Sequence, residues 1–379
     1  MTQKVLADLS GLSQPYISQI ESGARPLDRK STQVAIASAL NISVAQLLGM
    51  PGDPTDPIRS RAVAHVPAIR AALVELSAGE RRTPGREPDL LRAAVREATE
   101  LRNAADYAAV APLLPDLILD LAGHGSDLAP ELVETLFATR YALKTMGHSD
   151  LARMAAEQGV RVATEYGDPA WIGQATYSWV QAFPPESAHL GTRVTTRAAD
   201  TLQGLPDRGA QEVYGCLHIL AAFYAAIANR ADDATSHLAE AQDIARSLGE
   251  PSPYGSLSAG FNANWFGPTQ VEYWRVAVAA ELGDAVSALA VSERIDLSVV
   301  PVPNRWVYYW TDLARALAAG GKDREAMHAL ARAERAAPQH FRFNPVVRDL
   351  VSTILLRAKR RAVEGEMTAL AHKLGIEPI

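Results

Sequence analysis

From residue 58 onward, apolar residues recur at three- and four-residue spacing in runs of about 12 to 20 residues, each closed by a very short turn. Spacing of this kind places one apolar stripe along a helix, and a turn of a few residues forces the next helix back alongside the first. The turns include "MGHSD" (146–150), "YGDP" (166–169), "LGD" (282–284) and "AGGKD" (319–323). In each, Gly can close one helix in a left-handed conformation, and the Ser or Asp that follows can cap the next. Few stretches alternate apolar and polar residues, and the β-branched residues are dispersed. The pattern predicts an all-α fold.

The helix pairs repeat. Over 307–340, Trp310, Leu313, Ala314, Leu317, Ala326, Leu330, Ala333 and Pro338 have spacing that resembles the 34-residue tetratricopeptide (TPR) helix–turn–helix. Ala314 and Ala326 fall where two antiparallel helices come closest and only a small side chain fits, and Pro338 stops the second helix. Ala222, Ala225, Ala234, Leu238 and Ala241 recur at the same offsets. A weaker copy covers about 133–166, with Leu136, Leu143, Ala152 and Ala156, and 270–297 reads as a shortened unit. Residues 58–379 are therefore expected to form a TPR-like α-solenoid.

"GMPGDPTDP" (49–57) carries three prolines and two glycines and reads as a break between domains. "SAGERRTPGREP" (77–88) reads as a loop between helices. Ahead of the break lies a different kind of segment. Thr2 can cap a helix through Val5, Leu6 and Leu9, Gly11 suits a sharp corner, and Ser13 can cap a second helix that tolerates Pro15 in its first turn. With Ile17 and Ile20 facing inward, Gln14, Tyr16, Ser18 and Gln19 remain on the outer side. Two short helices with a tight corner describe a helix-turn-helix, whose second helix enters the DNA major groove. Gln can pair with adenine, and Ser and Tyr can reach phosphate or base.

Thr2-Gln3, "SGLS", Ile17, "QIESG" (19–23), the run Ile36-Ala37-Ser38-Ala39-Leu40 and "NISVAQLLG" (41–49) together resemble the XRE (lambda-repressor-like) DNA-binding domain. The resemblance implies DNA contacts at Gln3, Ser13, Gln14, Pro15, Tyr16, Ser18 and Gln19, with Arg25 added as a nearby cation. Pro15 replaces the polar residue often found there. The first helix of that family, which precedes the position of Thr2, has no counterpart here, so the natural start is expected upstream, the alternative being a domain that folds with a partial core. The domain expectation is 1–50 for the DNA reader, 51–57 for a linker, and 58–379 for a helical-repeat sensor and dimerisation domain.

"WFGPTQVEYWRVAVAAELGD" (265–284) and "DLARALAAGGKDREAMHALARAERAAP" resemble the TPR-like sensor half of actinobacterial XRE regulators. That resemblance implies a concave helical surface for a small-molecule or peptide effector. Candidate lining residues are Asn264, Trp265, Phe266, Gln270, Tyr273, Trp306 and Tyr309. The amides suit a peptide backbone and the aromatics offer flat contacts, while a place in the helical core is the competing expectation for each aromatic, Trp310 among them.

Charge and chemistry narrow the function. The net charge is −6, and the first fifty residues carry four cations against three carboxylates, so one reader should bind DNA modestly and with strong salt dependence. A homodimer, in which two linked readers engage adjacent half-sites, follows from that weakness. The single cysteine, Cys216, lies in an apolar run and reads as a small buried hydrophobe, which suits a reducing, cytoplasmic setting. No signal peptide, long apolar span, His-Glu-x-x-His, Cys cluster or phosphate-binding Gly-rich loop is present, so the expectation is neither an enzyme nor a metalloprotein, and no cofactor is implied. "GHGSD" (123–127) lacks the order of a nucleophile elbow. The reading is a sequence-specific transcriptional regulator acting on a double-stranded DNA operator. The alternative is a repeat scaffold whose N-terminal motif no longer binds DNA.

Overall fold

The computed structural model describes residues 1–40, 42, 44–48, 57–83, 85–251, 261–300 and 302–359. Among them the chain is all-α, with an N-terminal helix-turn-helix followed by a long helical region. Most of the expected 49–57 break lies outside the described residues.

The N-terminal bundle comprises α1 (Gln3–Ser10), α2 (Gln14–Glu21), α3 (Lys30–Leu40) and α4 (Val44–Leu48). The rest runs α5 (Pro57–Val63), α6 (Val66–Ser77), α7 (Pro88–Asn103), α8 (Tyr107–Val110), α9 (Leu114–Gly123), α10 (Ala129–Thr145), α11 (Ser149–Tyr166) and α12 (Pro169–Gln181). It continues with α13 (Ala188–Asp200), α14 (Arg208–Ile227), α15 (Ala231–Leu248), α16 (Pro268–Leu282), α17 (Ala285–Ser292), α18 (Pro303–Ala319), α19 (Asp323–Ala336), α20 (Pro338–Phe343) and α21 (Pro345–Lys359).

The pairs α10–α11, α14–α15 and α18–α19 pack most extensively, each folded back across one of the short turns. Small residues sit at their crossings: Ala314, Ala326, Ala222, Ala225, Ala234 and Ala241 are all fully buried. Asp168 and Asp284 cap α12 and α17 by accepting backbone N–H bonds, as expected for their turns, and Asp207 caps α14 likewise. By contrast, α11 and α19 follow His148 and Lys322 and have no side-chain cap. Alternate helices α12, α14, α16 and α18 then contact one another in sequence.

The first and last helices of the region also meet. α7 touches α18 and α5 touches α20. The Ala108 amide donates to Gln339 Oε1 at 3.1 Å, and the Tyr107 hydroxyl and His340 Nδ1 share a 2.7 Å hydrogen bond. One buried core consequently runs from Ala62 to Ile354. A second core gathers on α12–α16 and contains Cys216, fully buried, whose thiol burial pushes up to about 12. α14 is long and apolar enough to cross a membrane, with mean hydropathy 1.2, yet 83% of that stretch is buried in this core.

Candidate nucleic-acid interface

The reader is assembled by local chemistry. Thr2 Oγ1 accepts the Val5 amide at 3.3 Å to start α1, and Ser13 Oγ accepts the Tyr16 amide at 3.3 Å to start α2. Gly11 ends α1 at φ 67°, a left-handed corner where any other residue is strained. Its core is small: Leu6, Ala7, Ile17 and Ile36, with Ile17 1% exposed. Of the apolar stripe expected on α1, only Leu6 is inside; Val5 is 45% and Leu9 61% exposed.

The eight candidate DNA contacts fall into distinct settings. Gln14, Pro15 and Gln19 are exposed along α2, and Ser18 is half-buried beside them. Ser13 is spent on its cap. Tyr16 is held on two sides, by the Arg25 guanidinium 4.3 Å from its ring centroid and by a 3.4 Å hydrogen bond between its hydroxyl and Thr32 Oγ1. Gln3 Nε2 donates to Glu21 Oε2 at 2.7 Å, tying α1 to the end of α2. The side chains left open for a base edge are thus Gln14 and Gln19.

Residues 1–47 match the HTH_3 helix-turn-helix family. That match gives the head of the chain a helix-turn-helix of the kind that binds DNA. No curated protein matches the chain. Among the described residues, no group of three or more His, Cys, Asp or Glu is disposed to hold a metal ion.

Sequence reasoning missed how the helix-turn-helix is held. Arg315, in the middle of α18 and 4% exposed, donates from Nε to Asp28 Oδ2 at 3.2 Å and from Nη2 to the Asp28 carbonyl at 3.0 Å. The same guanidinium reaches Glu281 Oε2 at 3.1 Å and Asp312 Oδ1 at 2.9 Å. Glu281, fully buried, turns its other oxygen to the amides of Lys30 and Ser31, the first turn of α3. Burial alone would raise the Glu281 carboxyl, but Arg315 and then Lys30 hold it below its ordinary value. Arg29 Nε donates to the Glu281 carbonyl at 2.8 Å, Asp349 Oδ2 accepts the Leu27 amide at 2.7 Å, and Arg357 Nε reaches the Ala24 carbonyl at 2.9 Å. On the far side, Glu186 Oε1 accepts the Val44 amide at 2.8 Å and so caps α4. Two helices of the helix-turn-helix domain therefore take their N-terminal caps from the long helical region. The only signal in the sequence was negative, since Arg29 before α3 is no cap.

Most of the effector candidates are engaged in packing and internal hydrogen bonds, several of them around Arg305 and Val300. Phe266 is fully buried, its ring against Gly215, and Trp265 packs with Val300 and Val302. Asn264 exchanges amide hydrogen bonds with Gln174 at 2.6 and 3.4 Å. Trp306 Nε1 donates to the Val300 carbonyl at 2.7 Å, and the Tyr309 hydroxyl to the Ser292 carbonyl at 3.3 Å. Tyr273 accepts from Arg305 Nη1 at 2.9 Å. Gln270 alone keeps both amide atoms buried without a partner, at 1% exposure. Trp310 is half-buried, with the Arg332 guanidinium 4.7 Å from its ring.

Proposed function

We propose that the protein is a sequence-specific DNA-binding regulator of transcription in which the helical region, 58–379, is a TPR-like solenoid that senses a small molecule or peptide and supports a homodimer. The observation that carries the reading is α2, which presents Gln14 and Gln19 outward on a helix-turn-helix that matches the HTH_3 family. Gln14 and Gln19 read base edges, Ser18 and Arg25 reach phosphate, and Gln3, Ser13, Pro15 and Tyr16 set the angle at which α2 lies in the groove. A reader with so little net charge gains affinity by pairing with a second copy across two half-sites.

The buried junction around Arg315 supports a rigid coupling: a ligand that alters the packing of α16 against α18 displaces the carboxylate that caps α3. The test is selection of bound duplexes from a random-sequence pool by the full chain, followed by footprinting and light scattering. The expected result is an enriched motif of two half-sites separated by roughly 34 Å of duplex, bound by a dimer. A pool with no enriched sequence overturns DNA reading, and a monomer bound tightly to a single site overturns the dimer.

A further inference from the structure

Two buried arginines, Arg140 and Arg102, each keep a guanidinium nitrogen without a hydrogen-bond partner, and a third, Arg305, lies near Arg102. Arg140 of α10 is 2% exposed; its Nε donates to Ser178 Oγ at 3.2 Å, and its Nη2 is buried with no partner. Burial lowers its pKa, and the groups around it are tyrosines. Arg102 of α7, 3% exposed, has a buried Nη1 without a partner and feels both Arg140 and Arg305 as like charges. Its nearby carboxylate is Glu134, whose pKa burial raises while Thr99 and Arg102 lower it. Both guanidiniums press on one ring, at 4.8 Å for Arg102 and 4.7 Å for Arg140 from the Phe137 centroid. Arg305, half-buried, donates to the Tyr273 hydroxyl and to the Asn264 carbonyl, both uncharged. Leaving two buried guanidinium nitrogens unpartnered, with Glu134 the carboxylate beside them, is costly, so an occupant that supplies negative charge and hydrogen-bond acceptors is the natural complement.

The surroundings describe the rest of that occupant. Phe137 and Tyr177 stack with centroids 6.4 Å apart and are buried, while Tyr308, 6.4 Å from Tyr141, is 40% exposed, so this aromatic recess meets solvent at Tyr308. We infer that Arg102, Arg140 and Arg305 anchor the oxyanion of a small organic ligand, a carboxylate or phosphate carried on an aromatic body that packs against Phe137, Tyr177 and Tyr308. The proposal rests on the sensing role proposed above and names the chemistry sensed. The recess also adjoins the reader. Lys144, on the helix of Arg140, lies in the field of Lys30 from α3, and the Lys30 ammonium sits 4.6 Å from the Phe223 ring centroid.

The experiment follows thermal unfolding of the full-length chain with phenyl phosphate, benzoate, inorganic phosphate, benzyl alcohol or potassium chloride at matched ionic strength. Phenyl phosphate or benzoate is expected to raise the midpoint beyond the salt control, while benzyl alcohol is not. Arg140→Gln should weaken the anion's apparent affinity about tenfold or more, and Arg140→Lys less. Without ligand, Arg140→Gln should melt no lower than wild type, because it removes an uncompensated charge. No anion response in wild type, or the same response in Arg140→Gln, overturns the site. Equal shifts from inorganic phosphate and phenyl phosphate overturn the aromatic half of it. Anion binding that depends on Arg140 but leaves affinity for the selected duplex unchanged upholds the site and removes the sensing role.

Discussion

Glu281 and Lys30 stand 251 residues apart in the chain, yet a Glu281 carboxylate oxygen accepts the Lys30 backbone amide and occupies the place of the missing N-cap of α3. The same side chain faces the Arg315 guanidinium with its other oxygen. One carboxylate thus satisfies an orphan helix terminus in the helix-turn-helix domain and a buried cation in the helical region. Its loss uncovers both.

Glu281→Ala is expected to destabilise the chain by about 3–5 kcal/mol, since it leaves Arg315 buried with a diminished set of counter-charges. Denaturant unfolding should show the reader melting ahead of the repeat region. A single transition displaced by less than about 1 kcal/mol contradicts the account of the junction.

Gln14→Ala and Gln19→Ala should each lower affinity for the selected duplex by about 1–3 kcal/mol. Both positions are exposed, so stability should stay within about 0.5 kcal/mol of wild type. Fluorescence anisotropy on wild type and both variants checks this, and unchanged affinity in both would place the DNA contact elsewhere.

Acid should weaken the fold before the carboxylates titrate. Burial lowers His340 to about 3, and burial followed by His237 lowers His218 to about 4. Both are neutral in the fold, so the unfolded chain binds their protons first. Their stabilisation is complete above the ordinary histidine value near 6.5 and is lost as pH falls below it. By pH 5 each should have forfeited about 2 kcal/mol. Urea midpoints at pH 7, 6 and 5 measure the effect, and a flat profile refutes it.

Two apolar residues of the reader should respond oppositely to truncation. Ile17, 1% exposed at the centre of its core, should cost about 2–4 kcal/mol when changed to Ala. Leu9, 61% exposed, should accept Gln at a cost below about 0.5 kcal/mol. Chemical denaturation of the two single variants compares them directly, and a Leu9→Gln loss as large as that of Ile17→Ala would show that a partner covers α1.

Much of this architecture follows from interactions within a few residues. Thr2 and Ser13 cap their helices three residues away, Gly11 makes the corner between them, and alanines spaced along α14–α15 and α18–α19 allow close crossings. Helix period, capping and turn chemistry are properties of a short window, so the sequence by itself determined an all-α chain headed by a helix-turn-helix. The linkage between reader and repeats, and the charged recess, belong to tertiary structure alone. Arg315 joins Asp28 across 287 positions, and Arg140, Arg102 and Arg305 come from three separate helices. In a linear reading each of these arginines is one more polar residue on an amphipathic helix, indistinguishable from a solvated one. Which of them lose water is decided only when distant helices close over them, because desolvation depends on every neighbour in space and on none in particular along the chain.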